Sequence, residues 1–278
     1  KAISRGRSTA EKRDALLARI QTTTSYDDLK GCDLVIEAVF EDRDIKAACT
    51  QKTEAVIAAD AVFASNTSTL PITGLAKASV RPANFIGLHF FSPVDKMPLV
   101  EIIVGAETSD ETLARGFDYV LQIGKTPIVV NDKRGFYTSR VFATYVMEGL
   151  AMVAEGVHPR SVEVAGMKAG MPMPPLALQD EVSLSLSLHI SAQTRKDLAA
   201  EGIDYPAHPG EAVLQEVCGV RGRVGKKSGQ GLYDYQGKDK TLWPGLLEIY
   251  PPKPEQPSQQ DIIDRLMFIQ ANEAARCF

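Results

Sequence analysis

Residues 85–105 read FIGLHFFSPVDKMPLVEIIVG and contain two apolar runs, residues 85–91 and 99–105. Both runs are short and rich in aliphatic and aromatic side chains, which is typical of β-strands. The polar link between them, residues 92–98, is too short to hold a helix, so the two strands are expected to be neighbours in one sheet.

The same kind of run recurs on both sides of this pair. The pattern predicts further strands at residues 33–39, 61–66 and 126–131, and helices at residues 42–59 and 109–124. In helix 42–59, the spacing of Ile45, Cys49, Val56 and Ile57 predicts one buried apolar stripe. Short β-rich runs that alternate with helices are typical of βα units on a mostly parallel sheet.

The second half of the chain has a helical pattern. Helices are predicted at residues 136–155, 159–168 and 176–192, with a Met- and Pro-rich interruption at 171–175. Residues 226–235 predict a Gly-rich turn followed by aromatic residues. The Pro-rich residues 251–257 predict a connector before a helix that begins at Asp261.

These patterns predict an α/β fold class: an incomplete, doubly wound Rossmann-like domain followed by an all-α C-terminal domain. The predicted boundaries are residues 1–132, 133–250 and 251–278, the last being a linker and the start of a second helical unit. We expect the first βαβ unit to be missing, because residues 1–30 are polar and no G-x-G-x-x-G motif occurs in the chain.

A weak internal repeat motivates the second helical unit. Arg140 and Glu148 stand eight positions apart around aromatic and small residues, and Arg265 and Glu273 have the same spacing. An amphipathic helix with one charge at each end also arises by chance. If the repeat is real, the chain is expected to end inside a second copy.

Composition limits the function classes. The 278 residues contain 31 Lys+Arg and 35 Asp+Glu, a net charge of −4, and no basic run, so no nucleic-acid partner is expected. No apolar stretch is long enough for a membrane span and no secretion signal is seen, which predicts a cytoplasmic protein. The 4 cysteines are scattered, which predicts reduced thiols and no metal site.

Two polar residues interrupt the apolar runs of the opening stretch. His89 lies near the end of one run and Glu101 lies inside the next. A buried lone carboxylate costs several kcal/mol, so Glu101 calls for a cationic or donor partner. Alternatively, His89 is a satisfied core residue and Glu101 faces solvent. Together they predict a pair in which the carboxylate orients an imidazole for general-base chemistry.

Short polar side chains follow the predicted strand 61–66. Residues 65–69 read SNTST, and hydroxyl and amide groups at the carboxyl end of a parallel strand line the crevice where such sheets bind ligands. The alternative is a helix N-cap close to Pro71.

Five motifs resemble the L-3-hydroxyacyl-CoA dehydrogenase family, in the expected order. They are residues 65–70 (SNTSTL), 87–93 (GLHFFSP), 96–103 (KMPLVEII), 135–136 (GF) and 229–233 (GQGLY). The resemblance is nearest to the dehydrogenase part of the multifunctional fatty-acid oxidation complex, whose α subunit also carries an enoyl-CoA hydratase. It implies oxidation of (3S)-3-hydroxyacyl-CoA to 3-oxoacyl-CoA with NAD as cofactor.

The resemblance also implies roles for individual residues. His89 matches the family's catalytic base, Glu101 its orienting carboxylate, and Ser68 a serine that contacts both the substrate oxygen and the cofactor. Glu41 and Lys46 match positions near the nicotinamide half of NAD.

Two positions depart from the family pattern, because serine stands where the family often has asparagine. Ser139 is expected to bind substrate and Ser92 to bind cofactor, each with a shorter reach than asparagine.

The resemblance leaves assembly open between a homodimer and a complex with a thiolase subunit. Two other functions compete with fatty-acid oxidation. One is a short-chain 3-hydroxybutyryl-CoA dehydrogenase. The other is a non-catalytic binding or assembly fragment, since the Gly-rich turn that anchors the pyrophosphate of NAD is absent.

Overall fold

The structure is a computed structural model that describes residues 3–237 and 239–278. It divides into two compact units, Lys1–Phe136 and Tyr137–Phe278, here called the first and second unit. In the described part of the chain no helix is long and apolar enough to cross a membrane.

The described residues of the first unit, 3–136, form a five-stranded sheet and four α-helices. Its strands are β1 (Leu34–Glu37), β2 (Val62–Ser65), β3 (Phe85–Phe90), β4 (Leu99–Val104) and β5 (Thr126–Asn131). Its helices are α1 (Ala10–Leu17), α2 (Arg43–Glu54), α3 (Ile72–Ala76) and α4 (Asp110–Gln122). The sheet order is β1-β2-β3-β4-β5, and every pairing is parallel except the antiparallel pair β3–β4. The predicted α/β fold class, with a mostly parallel sheet, is confirmed.

Both faces of this sheet are covered. Val35, Phe63, Phe85 and Ile103 belong to one apolar cluster, which α3 and Phe136 complete. A second cluster takes up the alternate residues of the same strands, among them Val62, Ala64, Ile86, Leu88, Val100 and Ile102, together with Val120 of α4. This alternation fixes which face each side chain of a strand occupies.

Helix α2 differs from the prediction. It is shorter than residues 42–59, and the predicted apolar stripe is wrong, because Ile45 is 47% exposed. The buried residues of α2 are polar: Lys46, Thr50, Thr53 and Glu54. Helix α2 therefore meets hydrogen-bonding groups, which the apolar pattern of the sequence did not reveal.

The second unit is mainly helical. Its helices are α5 (Thr138–Ala154), α6 (Pro159–Lys168), α7 (Pro175–Val182), α8 (Leu184–Ala200), α9 (Pro209–Leu214), α10 (Gly245–Ile249) and α11 (Gln259–Arg276). It also contains an antiparallel hairpin of β6 (Tyr233–Gln236) and β7 (Asp239–Leu242), which the expectation of an all-α domain did not include.

The predicted helix 176–192 is broken in two. Ser183 has a φ of 85°, a left-handed conformation that ends α7 and begins α8. The Leu184 N–H donates to the Val224 carbonyl at 2.9 Å instead of continuing the helix. A partner 40 residues away in the sequence, which local periodicity does not show, therefore sets this break.

Two buried carboxylates connect the helices of the second unit to its hairpin. Asp180 of α7 accepts hydrogen bonds from the N–H groups of Leu232 and Tyr233 at 2.8 and 3.0 Å. Gly231 lies so close that a Cβ there would collide with Asp180 Oδ1, and the carboxylate would have to leave its present position. Glu163 of α6 accepts from the Tyr233 hydroxyl and from the Leu176 N–H.

Helices α5 and α11 pair through reciprocal ion pairs. Arg140 on α5 binds Glu273 on α11 at 2.5 Å, and Arg265 on α11 binds Glu148 on α5 at 2.5 Å. These are the residues that share one spacing in the sequence. The start of each helix therefore meets the end of the other, so the two helices are antiparallel. The identity of residues 251–278 as a second helical unit stays a prediction.

The carboxyl group of Glu163 gives the second unit a pH dependence. Burial outweighs the hydrogen bond from Tyr233 and raises the pKa of Glu163 above its ordinary value. The folded state thus holds this proton more tightly than the unfolded state. The stability that Glu163 contributes is complete below its ordinary pKa and is lost as the pH rises through the raised value.

We expect Glu163→Gln, which is neutral at every pH, to flatten this dependence. Between pH ~4 and ~8, the midpoint of thermal unfolding should fall by about 2–5 °C less in the variant than in the wild-type chain. The exposed Glu248→Gln is the control and should follow the wild type. Parallel curves for wild type and Glu163→Gln would contradict the assignment.

Candidate active site

One edge of the first unit's sheet carries a row of polar side chains. Alternate residues of a strand share a face of the sheet. Glu37 therefore lies on the same face as Val35 of β1, and Ser65 lies on the same face as Phe63 of β2. His89 lies four residues after Phe85 in β3, and Glu101 lies two residues before Ile103 in β4. Both side chains are therefore on this face as well. The parallel strands β1–β3 end at this edge, where open α/β sheets bind ligands.

His89 and Glu101 form a buried pair. They are direct partners in the β3–β4 register, and His89 Nδ1 lies 2.8 Å from Glu101 Oε2. Glu101 is fully buried and His89 is 5% exposed. Because Nδ1 contacts the carboxylate, Nε2 is the ring nitrogen left to meet a ligand. The predicted contact between these two groups is confirmed.

Two aromatic rings lie close to the imidazole, and an amide side chain holds the backbone beside it. The ring of His89 stands 4.4 Å from that of Phe91 and 6.2 Å from that of Phe136. The side-chain oxygen of Asn66 accepts the Phe90 N–H at 2.8 Å, which fixes the backbone next to His89. The apolar surroundings favour a well-defined ring orientation, and the amide ties the ends of β2 and β3 together.

Glu41 organises the loop after β2. Its Oε1 accepts hydrogen bonds from the Thr67 hydroxyl at 2.5 Å and from the N–H groups of Ser68 and Thr69 at 3.1 and 3.2 Å. Burial on its own would raise the pKa of Glu41, but the hydrogen bond from Thr67 and the charge of Lys46 outweigh it and hold that pKa below its usual value. Glu41 is therefore a carboxylate that holds Ser68 in place at neutral pH.

A second ion pair lies beneath this loop. Lys46 Nζ is 2.9 Å from Glu37 Oε1 and 3.2 Å from Glu41 Oε2. Glu37 Oε2 accepts the Ser65 hydroxyl at 2.8 Å. The family resemblance assigned Glu41 and Lys46, and the sequence pattern singled out residues 65–69, which include Ser65, but Glu37 was missed. The signal for Glu37 was present, since it is a charged residue inside the apolar run 33–39.

The structure also locates the remaining predicted residues. Ser68 is exposed in the loop after β2, and Ser92 is exposed in the link between β3 and β4. Ser139 is half-buried near the start of α5, in the second unit. The alternative interpretation of residues 65–69 as a helix cap is wrong, because Asp132 accepts the first N–H groups of α3, those of Ile72 and Thr73, at 2.7 Å.

These features define an α/β unit with a buried histidine–carboxylate pair at the edge where such sheets bind ligands. Comparison with known families identifies it further. Residues 1–133 match the NAD-binding domain of 3-hydroxyacyl-CoA dehydrogenase, and residues 135–235 match the C-terminal domain of the same enzyme. The chain belongs to the 3-hydroxyacyl-CoA dehydrogenase family, whose members are NAD-dependent oxidoreductases. The family resemblance in the sequence is confirmed.

Similar proteins include both long and short members of the family. The chain is 39% identical to the fatty acid oxidation complex subunit alpha of Shewanella oneidensis, over 100% of this chain and 39% of that protein. It therefore spans about two fifths of the length of this relative.

Solved structures show the same fold. The (S)-3-hydroxybutyryl-CoA dehydrogenase of Ralstonia eutropha has a TM-score of 0.75 and 35% identity, with 84% of this chain and 82% of that chain covered. The dehydrogenase part of multifunctional enzyme 1 from C. elegans has a TM-score of 0.62 and 25% identity, with 99% of this chain and 63% of that chain covered.

The polar groups at the sheet edge fit the nicotinamide end of NAD. Lys46 of α2 offers ammonium donors, Ser65 and Thr67 at the end of β2 offer hydroxyls, and Glu41 after β1 offers a carboxylate acceptor. A carboxamide and a ribose need such a mixture of donors and acceptors. In the described ranges no cluster of His, Cys, Asp or Glu could hold a metal ion.

We expect Glu41→Gln to loosen the loop that carries Ser68. The neutral amide oxygen is a weaker acceptor than a carboxylate oxygen, and the amide NH2 would face the Lys46 ammonium in place of Oε2. The N–H groups of Ser68 and Thr69 should therefore exchange with deuterium about tenfold faster at neutral pH. The exposed Glu107→Gln serves as the control and should leave these rates unchanged. Equal protection in all three proteins would show that Glu41 does not hold the loop.

Proposed function

We propose that this chain oxidises (3S)-3-hydroxyacyl-CoA to 3-oxoacyl-CoA with NAD⁺ in fatty-acid β-oxidation. The observation that supports it most is the buried His89–Glu101 pair at the ligand-binding edge of the sheet. We further propose that it works as part of a multifunctional enzyme with an enoyl-CoA hydratase, since the curated relatives that it matches include a fatty acid oxidation complex subunit alpha.

In this proposal the chemistry of the chain's own residues is proton transfer. His89 Nε2 takes the proton of the substrate 3-hydroxyl, and Glu101 stabilises the resulting imidazolium through the bond to Nδ1. NAD⁺, when bound, supplies the acceptor for the hydride from C3. The burial of Glu101 strengthens its attraction for the charged ring.

We propose that the other predicted residues bind and orient the substrate and the cofactor. We assign Ser68 to the substrate oxygen and the cofactor, with Glu41 holding its loop. Lys46 and Ser92 are assigned to the cofactor, and Ser139 to the substrate. A cytoplasmic location and assembly either as a homodimer or with a thiolase subunit belong to the same proposal.

His89→Gln tests the proposed base. Removing a general base should lower turnover by about 10²–10⁴-fold, while the affinity for NADH stays nearly the same. The measurements are the rate of NADH formation with (3S)-3-hydroxyacyl-CoA and calorimetric titration of NADH. The exposed His189→Gln is the control and should retain full activity. Undiminished turnover in His89→Gln would remove this histidine from the mechanism.

A short-chain substrate is a second candidate. The similarity to the (S)-3-hydroxybutyryl-CoA dehydrogenase of Ralstonia eutropha over 84% of this chain favours it. Comparing kcat/KM for four-carbon and sixteen-carbon 3-hydroxyacyl-CoA separates the two. A strong preference for the four-carbon substrate would count against fatty-acid oxidation, and comparable or higher values for the long substrate would support it.

The remaining alternative, a non-catalytic assembly function, rests only on the absence of a G-x-G-x-x-G motif from residues 1–278, and no contact in the structure favours it. Calorimetric titration of NADH into this chain decides it. Binding at micromolar strength would exclude the non-catalytic alternative. If no heat of binding is observed, the dehydrogenase function is limited to a longer protein that contains these residues.

A further inference from the structure

Glu37 is a buried charged residue to which the proposed chemistry gives no role. Its side chain is 1% exposed, and that of its partner Lys46 is 2% exposed. Removing two charges from water costs several kcal/mol per ion, and a pair of apolar residues in such a place is often as stable or more stable. The stability of the sheet therefore does not explain why an ion pair is buried at the ligand-binding edge.

The contacts of Glu37 fix its carboxylate from three sides. Oε1 accepts the Val39 N–H at 2.7 Å and Lys46 Nζ at 2.9 Å, and Oε2 accepts the Ser65 hydroxyl at 2.8 Å. Ser65 is the last residue of β2, and Val39 follows the end of the neighbouring strand β1 by two residues. The carboxylate is therefore held by rigid elements.

Glu41, the second carboxylate near Lys46, is less suited to hold the ammonium group in one position. Glu41 lies 3.2 Å from Nζ through Oε2, its side chain is 30% exposed, and its Oε1 is used by the loop of Ser68. The lysine side chain is flexible and has a strongly hydrated head group. Without Glu37, the ammonium group of Lys46 would be free to move toward Glu41 and solvent.

We infer that Glu37 is a positioning residue that holds the Lys46 ammonium group, buried and charged, at the cofactor side of the site. Two N–H groups of the ammonium then face Glu37 and Glu41, and the third remains for an acceptor such as the carboxamide of NAD. The cofactor part of this inference rests on the proposed function, whereas the position of Lys46 does not.

Glu37→Gln tests the inference with two independent measurements. The amide keeps the shape of the side chain and removes the charge. Brief acetylation of the full chain followed by mass spectrometry should show Lys46 modified about tenfold faster than in the wild type, because its amine becomes accessible to solvent. NADH should bind about tenfold more weakly, with little change in the KM for acyl-CoA.

Glu54→Gln is the matched control. Glu54 is also a buried carboxylate of the first unit, and it accepts hydrogen bonds from the Ser79 hydroxyl and the Val80 N–H. It lies on α2 with Lys46. This variant should lower thermal stability but leave Lys46 acetylation and NADH affinity as in the wild type. A merely structural role for Glu37 would make the two variants behave alike.

The outcomes separate this inference from the proposed function. Unchanged acetylation of Lys46 in Glu37→Gln overturns the inference. Faster acetylation in a chain whose wild type binds no NADH supports the positioning role and refutes NAD binding by these residues. If Glu37→Gln does not fold, Ser65→Ala removes one support of the carboxylate and should raise acetylation about threefold, and an unchanged rate would overturn the inference.

Discussion

A carboxylate that is sealed from water must be given a partner, and this requirement shapes both units of the protein. In the first unit, Glu101 is fully buried and binds His89, and Glu37 is buried and binds Lys46. Because alternate residues of a strand share a face, both carboxylates lie on the same side of the sheet. The pairs therefore converge on one edge, where the parallel strands end and a ligand has access. The same two ion pairs that neutralise the buried carboxylates of this sheet therefore also form the candidate site.

In the second unit, buried carboxylates that need partners join the helices to the hairpin. Asp180 takes the backbone N–H groups at the start of the hairpin, and Glu163 takes the hydroxyl of Tyr233. Neither has a basic partner as close as those of Glu101 and Glu37, and burial raises the pKa of each. In the first unit, by contrast, Lys46 helps to keep the pKa of Glu41 low. The Thr67 hydroxyl and the Lys46 ammonium thus favour the ionised form of Glu41, whereas burial favours the protonated forms of Glu163 and Asp180.

Much of the first unit could be predicted from sequence. The bounds of β5 agree with the prediction, and the His89–Glu101 contact followed from the cost of burying a lone carboxylate between two adjacent strands. The same argument applied to Glu37 but was not made for it. The polar buried face of α2 could not be seen, since Ile45 suggested an apolar stripe and the partners of Lys46 lie on other elements. The break at Ser183 depends on the distant carbonyl of Val224.

The crossed pairing of α5 and α11 has an evolutionary consequence. In a symmetric dimer of identical chains, one substitution alters both halves of the interface at once. Here the two arginines and two glutamates belong to a single polypeptide, so each can mutate alone while its counterpart is retained. The partners are also tethered, which makes their association independent of how much protein the cell contains. One ion pair can therefore change while the other still holds the two helices together.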